Sequence, residues 1–184
     1  MRVISGKLRG LKLNTPKNDD VRPTTDRVKE SLFNIINSYI MESDVLDLFA
    51  GTGSLGIECL SRGANKCVFV DLSKDSLQVV KSNIKKARLE EDSIVINLGY
   101  KEAITKLSLQ NNKFDLIFMD PPYYKDMFVD ALSKIQESSI LKEDGIIVVE
   151  HDSKEELPEK INMLEKMKIK KYGNTTITLY QMEE

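Results

Sequence analysis

The sequence contains little cysteine and no long apolar segment. Cys59 and Cys67 are the two cysteines among 184 residues, each within an apolar run and without C-x-x-C spacing or a nearby histidine. We therefore expect two reduced core thiols and no disulfide framework or metal site. No uncharged apolar stretch approaches the roughly 18 residues that cross a membrane, and the start of the chain lacks the apolar core of a signal peptide. These absences predict a cytoplasmic protein without a membrane segment.

The composition is that of an ordinary folded domain. Hydrophobic residues make up 41% of the chain, charged residues 30% and aromatic residues 7%, which lies within the range of globular proteins. A chain of this length can bury a substantial core as one domain, without disulfides or a structural metal.

The charges are unevenly placed along the chain. The net charge of −2 argues weakly against a general binder of polyanions, but residues 1–30 carry eight basic residues against four acidic ones. Because these arginines alternate with glycines and apolar residues, we interpret them as a surface for phosphate groups. A second basic run, which we interpret as a solvated face, consists of Lys166, Lys168, Lys170 and Lys171.

Apolar periodicity predicts a regular alternation of strands and helices. Residues 2–13 predict a short β-hairpin, and a helix capped by Thr24 or Thr25 is predicted to run to about Tyr39. Strands are then predicted at 45–49, 67–70, 94–96, 114–119 and 146–150, and helices at 55–61, 75–87, 102–109 and 127–137. Two final strands, at 163–172 and 175–181, would meet at a Gly173-Asn174 turn.

This order of elements predicts an α/β fold of the Rossmann-like type. We expect a seven-stranded, mostly parallel sheet with helices on both faces and a C-terminal antiparallel hairpin. Residues 1–41 would form an N-terminal extension of hairpin and helix that binds nucleic acid, and residues 42–184 the main domain.

Three glycines follow the first predicted strand with G-x-G-x-x-G spacing. Gly51, Gly53 and Gly56 allow a tight turn and close approach of a ligand to the backbone, although a packed strand-turn-helix unit fits the same pattern. A carboxylate at Asp47, beside this turn, would repel a pyrophosphate but suits the α-ammonium group of S-adenosylmethionine. Asp71 ends the second strand, where it can accept both ribose hydroxyl hydrogens. Because nicotinamide enzymes also place an acid there, Asp71 predicts a nucleoside without choosing the cofactor.

The sequence Asp-Pro-Pro-Tyr follows the fourth predicted strand. The exocyclic amino nitrogen of a base is a poor nucleophile, since its lone pair is delocalised into the ring. Asp120 and the Pro121 carbonyl can each accept one amino hydrogen and so aim the lone pair at a methyl donor. Tyr123 offers a ring on which an extruded base can stack. A proline-rich turn with an incidental aspartate is the alternative interpretation.

These motifs resemble class I methyltransferases, and within them the bacterial enzymes that form N2-methylguanine in 16S ribosomal RNA. The resemblance covers nearly the whole chain. DLFAGTGSLGIE at 47–58 and DPPY at 120–123 are shared by many amino-methyltransferases, whereas RVISGKLRG at 2–10, RPTTDRVKESLFN at 22–34 and KYGNT at 171–175 are marks of this family. The resemblance implies an S-adenosylmethionine-dependent, monomeric enzyme that acts on the small ribosomal subunit or its assembly intermediate, without a metal ion.

The motifs and the resemblance together assign residues to three roles. The catalytic residues are Asp120, Pro121 and Tyr123. The residues expected to hold the cofactor are Asp47, Phe49, Gly51, Gly53, Asp71, Leu72, Leu98, Gly99 and Tyr100. The residues expected to contact RNA are Arg2, Lys7, Arg9, Arg22, Thr24 and Arg27, although Arg22 and Arg27 could instead be helix-start and ion-pair residues. One departure from the superfamily is Asn97, which begins a segment where an acidic residue often contacts adenine.

Three other functions compete with this interpretation. A DNA adenine-N6 or cytosine-N4 methyltransferase shares the Asp-Pro-Pro-Tyr chemistry but usually carries a target-recognition domain. A nicotinamide-dependent oxidoreductase would need a substrate domain for which this chain leaves no room. A catalytically silent RNA-binding assembly factor would not need Asp120 and Tyr123. We disfavour His151, the sole histidine, as a general base, because methyl transfer to an amino group does not require a strong base.

Overall fold

An eight-stranded mixed sheet with helices on both faces forms the protein. The computed structural model describes residues 1–15, 26–121 and 125–183, without the side chains of residues 125 and 126. The strands are β1 (Asp44–Asp47), β2 (Lys66–Asp71), β3 (Ser93–Asn97), β4 (Phe114–Met119), β5 (Leu141–Asp152), β6 (Lys160–Ile161), β7 (Leu164–Tyr172) and β8 (Thr175–Met182). The helices are α1 (Asp26–Ile35), α2 (Ser54–Ser61), α3 (Lys74–Ala87), α4 (Tyr100–Leu109) and α5 (Lys125–Glu137), with a 3-10 turn at Asn37–Tyr39.

The strand order places a crevice between β1 and β4. The order across the sheet is β3-β2-β1-β4-β5-β8-β7-β6. Strands β1 to β5 pair in parallel, whereas β8 is antiparallel to β5 and β7 is antiparallel to β8. The chain moves from β1 outward to β3 and then returns to build the other half of the sheet from β4. In open α/β sheets, ligands bind at such a reversal, at the carboxyl ends of the strands. We call this end of the sheet the substrate edge.

The predicted fold class is confirmed, with one strand added. All seven predicted strands are present, and the two-residue strand β6 adds an eighth at the edge by pairing with β7 across a turn at Asn162. A strand of two residues is too short to produce a periodic pattern. Strand β5 also begins earlier than predicted, at Leu141, because its first residue pairs with Phe114 before a shift in register. The polar residues 142–144 conceal this extension.

Two apolar layers fill the space between the sheet and the helices. Helices α1, α2 and α3 cover one face, where Phe33 of α1 lies against Phe118 of β4 with ring centroids 6.1 Å apart. Helices α4 and α5 cover the other face. Cys59 and Cys67 are free and buried in the first layer, as expected. Among the helices in the described ranges, none is long and apolar enough to cross a membrane.

Residues 2–13, which we call the N-terminal loop, differ from the regular hairpin that was predicted. One antiparallel bridge joins Arg2 to Lys12, and the residues between them turn irregularly. The backbone N–H groups of Ile4 and Ser5 donate to the Glu58 carboxylate of α2 at 2.8 and 2.9 Å instead of to an opposing strand. The ends of the loop keep backbone hydrogen bonds of a hairpin, from Val3 to Leu11 and from Gly10 to Val3 at 2.9 Å, whereas its middle docks on α2.

Helix α1 ends earlier than predicted. It stops at Ile35, and the 3-10 turn carries the chain on to Tyr39. The apolar positions of both segments face the same core layer. The helical spacing of these residues therefore continues from α1 into the 3-10 turn, and it predicted one longer helix. Thr24 and Thr25, the predicted caps, lie outside the described residues.

Candidate active site

The turn between β1 and α2 leaves its backbone accessible at the substrate edge. Gly51 and Gly53 have φ values of 54° and 76°, in the left-handed region that favours glycine. A Cβ at Gly56 would lie 2.4 Å from the Phe69 ring and 2.5 Å from the Cys67 sulfur. The third glycine therefore lets α2 rest directly on β2. We call residues 51–53 the glycine turn.

Asp47 places a buried carboxylate under the glycine turn. Its residue is 3% exposed, and its Oδ2 accepts a hydrogen bond of 3.2 Å from the Gly56 N–H. Burial raises the pKa of Asp47 to about 7, the Gly56 hydrogen bond opposes this rise, and the Asp71 carboxylate adds to it. No basic side chain of the described ranges forms an ion pair with Asp47. The site therefore favours a ligand that brings a positive charge.

Asp71 is oriented by backbone donors on both of its oxygens. The Gly51 N–H donates to Oδ2 at 2.9 Å and the Ser73 N–H donates to Oδ1 at 2.8 Å. Each carboxylate oxygen can accept a further hydrogen bond. The Asn97 side-chain amide donates to the carbonyls of Asp71 and Leu72 at 3.0 and 2.9 Å. Asn97 therefore fixes the loop after β2, and Leu72 beside it is 75% exposed.

The remaining cofactor candidates follow β1 and β3. The rings of Phe49 and Tyr100 pack with centroids 5.7 Å apart. The Tyr100 hydroxyl donates to Asp130 of α5 at 2.7 Å, so its polar end is directed toward α5. Leu98 packs against the core layer of α4 and α5, and Gly99 caps the start of α4. Phe49, Leu98 and Gly99 are each partly exposed, and they offer apolar side chains and backbone groups to a ligand.

Asp120 and Pro121 line a small cavity at the end of β4. The cavity has a volume of about 30 Å³, which is room for about one or two water molecules. Its other lining residues are Phe128, Glu150, His151, Asp152, Asn174 and Thr175. This volume is too small to enclose a nucleic-acid base. Pro122 and Tyr123 lie outside the described residues.

The charge environment of Asp120 favours the protonated carboxyl group. Removal from water among the surrounding protein atoms raises the pKa of Asp120 well above its ordinary value, and the Glu150 and Asp47 carboxylates raise it further. The Asp120 side chain is nevertheless exposed to solvent. The repulsion of the two carboxylates persists in a hydrated site and therefore favours the protonated form there. A cationic ligand in the crevice would lower the pKa of Asp120 again.

His151 is held in a neutral form that does not suit a general base. Its Nδ1 lies 3.0 Å from the Asp152 carbonyl oxygen and its Nε2 lies 2.8 Å from the Thr178 hydroxyl. A carbonyl can only accept, so Nδ1 carries the hydrogen and Nε2 accepts from Thr178. Burial also lowers the pKa of His151. Both ring nitrogens are therefore occupied by structural contacts.

Two residues of the site escaped the sequence analysis. Glu150 lines the cavity beside Asp120, and the rule that directs attention to strand ends would have found it had the fifth strand been included. Asn83 of α3 is fully buried, and its amide donates to the carbonyls of Thr52 and Asn14 at 2.9 and 3.0 Å. An asparagine among the apolar positions of an amphipathic helix was the available signal.

The residues predicted to contact RNA lie in two separate places. The Arg2 guanidinium pairs with Asp26 at 2.8 Å, next to the start of α1. Lys7 lies 4.0 Å from Asp92, and its backbone N–H donates to Ser61, the last residue of α2. Because α2 has eight residues, this end lies about 12 Å along the helix from the glycine turn. Lys7 therefore lies near the end of the sheet that is opposite the cavity.

The other predicted RNA contacts are exposed or undescribed. Arg9 follows Lys7 in the tip of the N-terminal loop, and Arg27 lies in the first turn of α1. Both are exposed, and neither forms an ion pair with a residue of the described ranges. Arg22 and Thr24 lie outside those ranges.

Comparisons with known proteins agree with this architecture. A family model described as "Conserved hypothetical protein 95" matches residues 1–181. Ribosomal RNA small subunit methyltransferase D from Haemophilus influenzae is 38% identical, and the alignment covers 98% of this chain and 93% of that relative. The solved structure of yhhF from Escherichia coli is 30% identical and has a TM-score of 0.88, with 100% of this chain and 98% of that chain covered.

A more distant solved structure shares the fold. It belongs to a protein complexed with S-adenosylhomocysteine, is 16% identical and has a TM-score of 0.72, with 89% of this chain and 52% of that chain covered. The fold is thus the Rossmann-like fold of S-adenosylmethionine-dependent methyltransferases. By the family model and the identity to its curated relative, the chain belongs to the family of ribosomal RNA small subunit methyltransferase D.

Proposed function

We propose that this protein transfers a methyl group from S-adenosylmethionine to the N2 amino group of a guanine in 16S ribosomal RNA. The observation that carries the proposal is that Asp47 ends β1 and Asp120 directly follows the neighbouring strand β4, at the reversal of strand order. This arrangement supports a crevice in which a cationic cofactor would lie beside an acceptor for an amino hydrogen. Family membership supports ribosomal RNA as the substrate.

The residues of the crevice fit S-adenosylmethionine. Asp47 would pair with the α-ammonium group, which agrees with its burial and its lack of an ion pair among described residues. Asp71 would accept the ribose hydroxyl hydrogens with its remaining lone pairs. Gly51 and Gly53 would let the ligand approach the backbone. The residues that would contact the adenine ring are Phe49, Leu72, Leu98, Gly99 and Tyr100. When bound, this cofactor supplies an electrophilic methyl group on a sulfonium.

Asp120 and Pro121 would prepare the amino nitrogen for attack. The Asp120 carboxylate and the Pro121 carbonyl each accept one amino hydrogen, which turns the nitrogen lone pair toward the methyl carbon. A nitrogen that had received the methyl group would carry a surplus proton. Asp120, whose pKa is raised, is placed to accept it. Tyr123 would supply the stacking surface for the extruded base.

The basic residues near the amino terminus would contact the RNA backbone. Arg27 is exposed at the start of α1, and Arg22 and Thr24, which precede it in the sequence, are the other candidates. Lys7 and Arg9 would contact RNA only at the end of the sheet opposite the cavity. Arg2 would contact RNA next to the start of α1, where it pairs with Asp26. Residues 1–41 would thus serve as the RNA-binding part and residues 42–184 as the methyltransferase part of a cytoplasmic monomer. Its partner would be the small ribosomal subunit or an assembly intermediate.

The test is to identify the methylated nucleoside. Purified protein and S-adenosylmethionine are incubated with small ribosomal subunits from a strain that lacks the modification, and the digested RNA is examined by mass spectrometry. We expect N2-methylguanosine, formed much more slowly by Asp120→Ala and at the wild-type rate by Asp144→Ala, a substitution at an exposed position of β5. Methylation of adenine or cytosine in DNA, with none in ribosomal RNA, would instead support the DNA methyltransferase. Binding without methylation would support an assembly factor.

A further inference from the structure

Strand β7 carries lysines that the site described above does not use. Lys168, Lys170 and Lys171, which we call the β7 lysines, are exposed and form no ion pair with a residue of the described ranges. Lys166 differs, because it is 7% exposed, pairs with Glu159 at 2.7 Å and donates to the Leu157 carbonyl. Lys166 is therefore structural, and three uncompensated positive charges remain in a chain whose net charge is −2.

The register of β7 places these charges on both faces of the sheet. Lys168 and Lys170 pair with Leu179 and Ile177 of β8, which belong to the core layer beneath α1. Lys171 pairs with Thr176 and therefore projects from the opposite face, because successive residues of a strand alternate. Its positive charge contributes to the lowered pKa of His151, which agrees with this placement. The β7 lysines thus surround the strand on both sides.

The strand leads directly to the cavity that contains Asp120. Strand β7 ends at Tyr172, and the hairpin turn then brings Asn174 and Thr175 into the cavity wall. At about 3.4 Å per residue, Lys171 lies about 10 Å and Lys168 about 20 Å along the chain from Asn174. A nucleic-acid strand with one base over the cavity would therefore have its neighbouring phosphates within reach of this strand.

Protection of a free strand edge is the competing explanation. Strand β6 pairs with β7 only at Leu164 and Glu165, so within the described residues the edge of β7 is open from Met167 onward. Lysines at such edges hinder pairing with other chains. Edge protection requires charge of either sign, however, whereas phosphate binding requires positive charge. This difference separates the two explanations by experiment.

We infer that the β7 lysines bind the phosphate backbone of the RNA strand that flanks the target base. This inference rests on the proposed function and adds to it a second RNA contact, on the substrate edge and separate from the N-terminal loop. The lysines neutralise phosphates and contribute affinity without reading sequence. Positive charge on this strand would then serve RNA binding and not only solvation of the surface.

The test is a charge reversal with a matched control. Lys168→Glu, Lys170→Glu and Lys171→Glu are combined in one protein. Lys81→Glu, Lys85→Glu and Lys86→Glu, at exposed positions of α3, are combined in another, so that both proteins change net charge equally. Binding to unmodified 16S ribosomal RNA is measured over a series of salt concentrations, together with S-adenosylhomocysteine binding and oligomeric state.

We expect the β7 variant to lose at least about tenfold in RNA affinity and about 2 in the slope of log affinity against log salt, at about 0.7 for each lost contact with single-stranded RNA. The α3 variant should stay within about threefold of wild type, and both variants should bind S-adenosylhomocysteine normally and remain monomeric. Equal RNA binding by the two variants would overturn the inference. Failure of the proposed function would be seen separately, as absence of ribosomal RNA methylation by the wild-type protein.

Discussion

The Lys29 ammonium group lies 2.9 Å from the Glu58 carboxylate, and the two side chains are 1% and 0% exposed. Lys29 of α1 also donates to the Ser54 hydroxyl, next to the glycine turn, and to the Arg2 carbonyl. Glu58 of α2 also accepts from Arg62 at 2.8 Å. One buried ion pair therefore joins the N-terminal loop, α1 and the start of α2.

The first prediction concerns this pair. Lys29→Met should reduce the free energy of unfolding by about 3–5 kcal/mol, because it leaves a buried carboxylate without its main counter-ion. Urea unfolding at pH 7 measures the effect, with Lys85→Met at an exposed position of α3 as the control, expected to stay within about 0.5 kcal/mol of wild type. A loss below about 1 kcal/mol for Lys29→Met would show that Arg62 and the backbone donors satisfy Glu58 alone.

The sequence predicted the placement of the three candidate carboxylates better than the contacts around them. Asp71 and Asp120 follow apolar runs and Asp47 lies within one. Parallel strands bring such positions to one end of the sheet, so local pattern and topology predicted where these carboxylates lie. The docking of the N-terminal loop depends instead on Glu58, more than fifty residues along the chain. The alternation of basic and apolar residues in this segment fits both a regular hairpin and a docked loop. Only the position of the Glu58 carboxylate in the fold distinguishes the two.

Three other features could not be predicted from the local sequence pattern. Strand β6 is too short for a period, and the open edge of β7 follows from how little β6 covers. The burial of Lys29 could not be predicted either, because lysine on a helix usually faces solvent. Its partner is supplied by another helix.

The second prediction follows from the raised pKa of Asp47. Below about pH 7 the free protein holds this carboxyl protonated, and pairing with the α-ammonium group of S-adenosylhomocysteine requires that the proton be released. Affinity should therefore rise as pH increases through about 7 and then level off. Calorimetry from pH 5.5 to 8.5 tests this, with Asp47→Asn expected to bind weakly and without that pH dependence. An affinity of the wild type that is constant with pH would contradict the assignment.

The third prediction concerns stability without cofactor. Because the pKa of Asp47 is raised in the folded state, stability is lost as pH rises from about 4, the unfolded value, to about 7. Asp47→Asn keeps an acceptor for the Gly56 N–H and removes the buried charge, so it should stabilise the free protein at pH 8 by about 2–4 kcal/mol. Urea unfolding at pH 4 and pH 8 measures the gain, which should be absent at pH 4. Destabilisation at pH 8 would mean that Asp47 has a cationic partner in the folded protein.

The fourth prediction concerns Asn83, which joins the glycine turn to Asn14. Asn83→Ala should cost about 1–3 kcal/mol of stability, because buried backbone groups lose their partners. S-adenosylhomocysteine binding should also weaken, since the Thr52 carbonyl is no longer held. Ser82→Ala removes a neighbouring but exposed contact with Asn14 and serves as the control. Unchanged cofactor affinity in folded Asn83→Ala would show that the glycine turn is fixed by other contacts.

The fifth prediction separates base stacking from chemistry. Tyr123→Ala should weaken substrate binding by about 1–3 kcal/mol, as loss of a base–aromatic stack commonly does, whereas Tyr123→Phe keeps the ring and should be nearly silent. Methylation rates at a series of ribosomal RNA concentrations test this, with KM affected more than kcat. Equal KM values for Tyr123→Ala and wild type would remove Tyr123 from the substrate site.

The central claim is that Asp120 accepts an amino hydrogen as the nitrogen attacks the methyl group. Such a contact is stronger in the transition state than in the ground state, so its loss should lower the rate and leave cofactor affinity nearly unchanged. The most direct measurement is single-turnover methylation of unmodified small ribosomal subunits by wild type, Asp120→Asn and Asp120→Ala. We expect Asp120→Ala to be slower by about a hundredfold or more, with Asp120→Asn in between because it keeps an acceptor oxygen. A rate for Asp120→Ala near that of wild type would contradict this account and move the catalytic role to other residues.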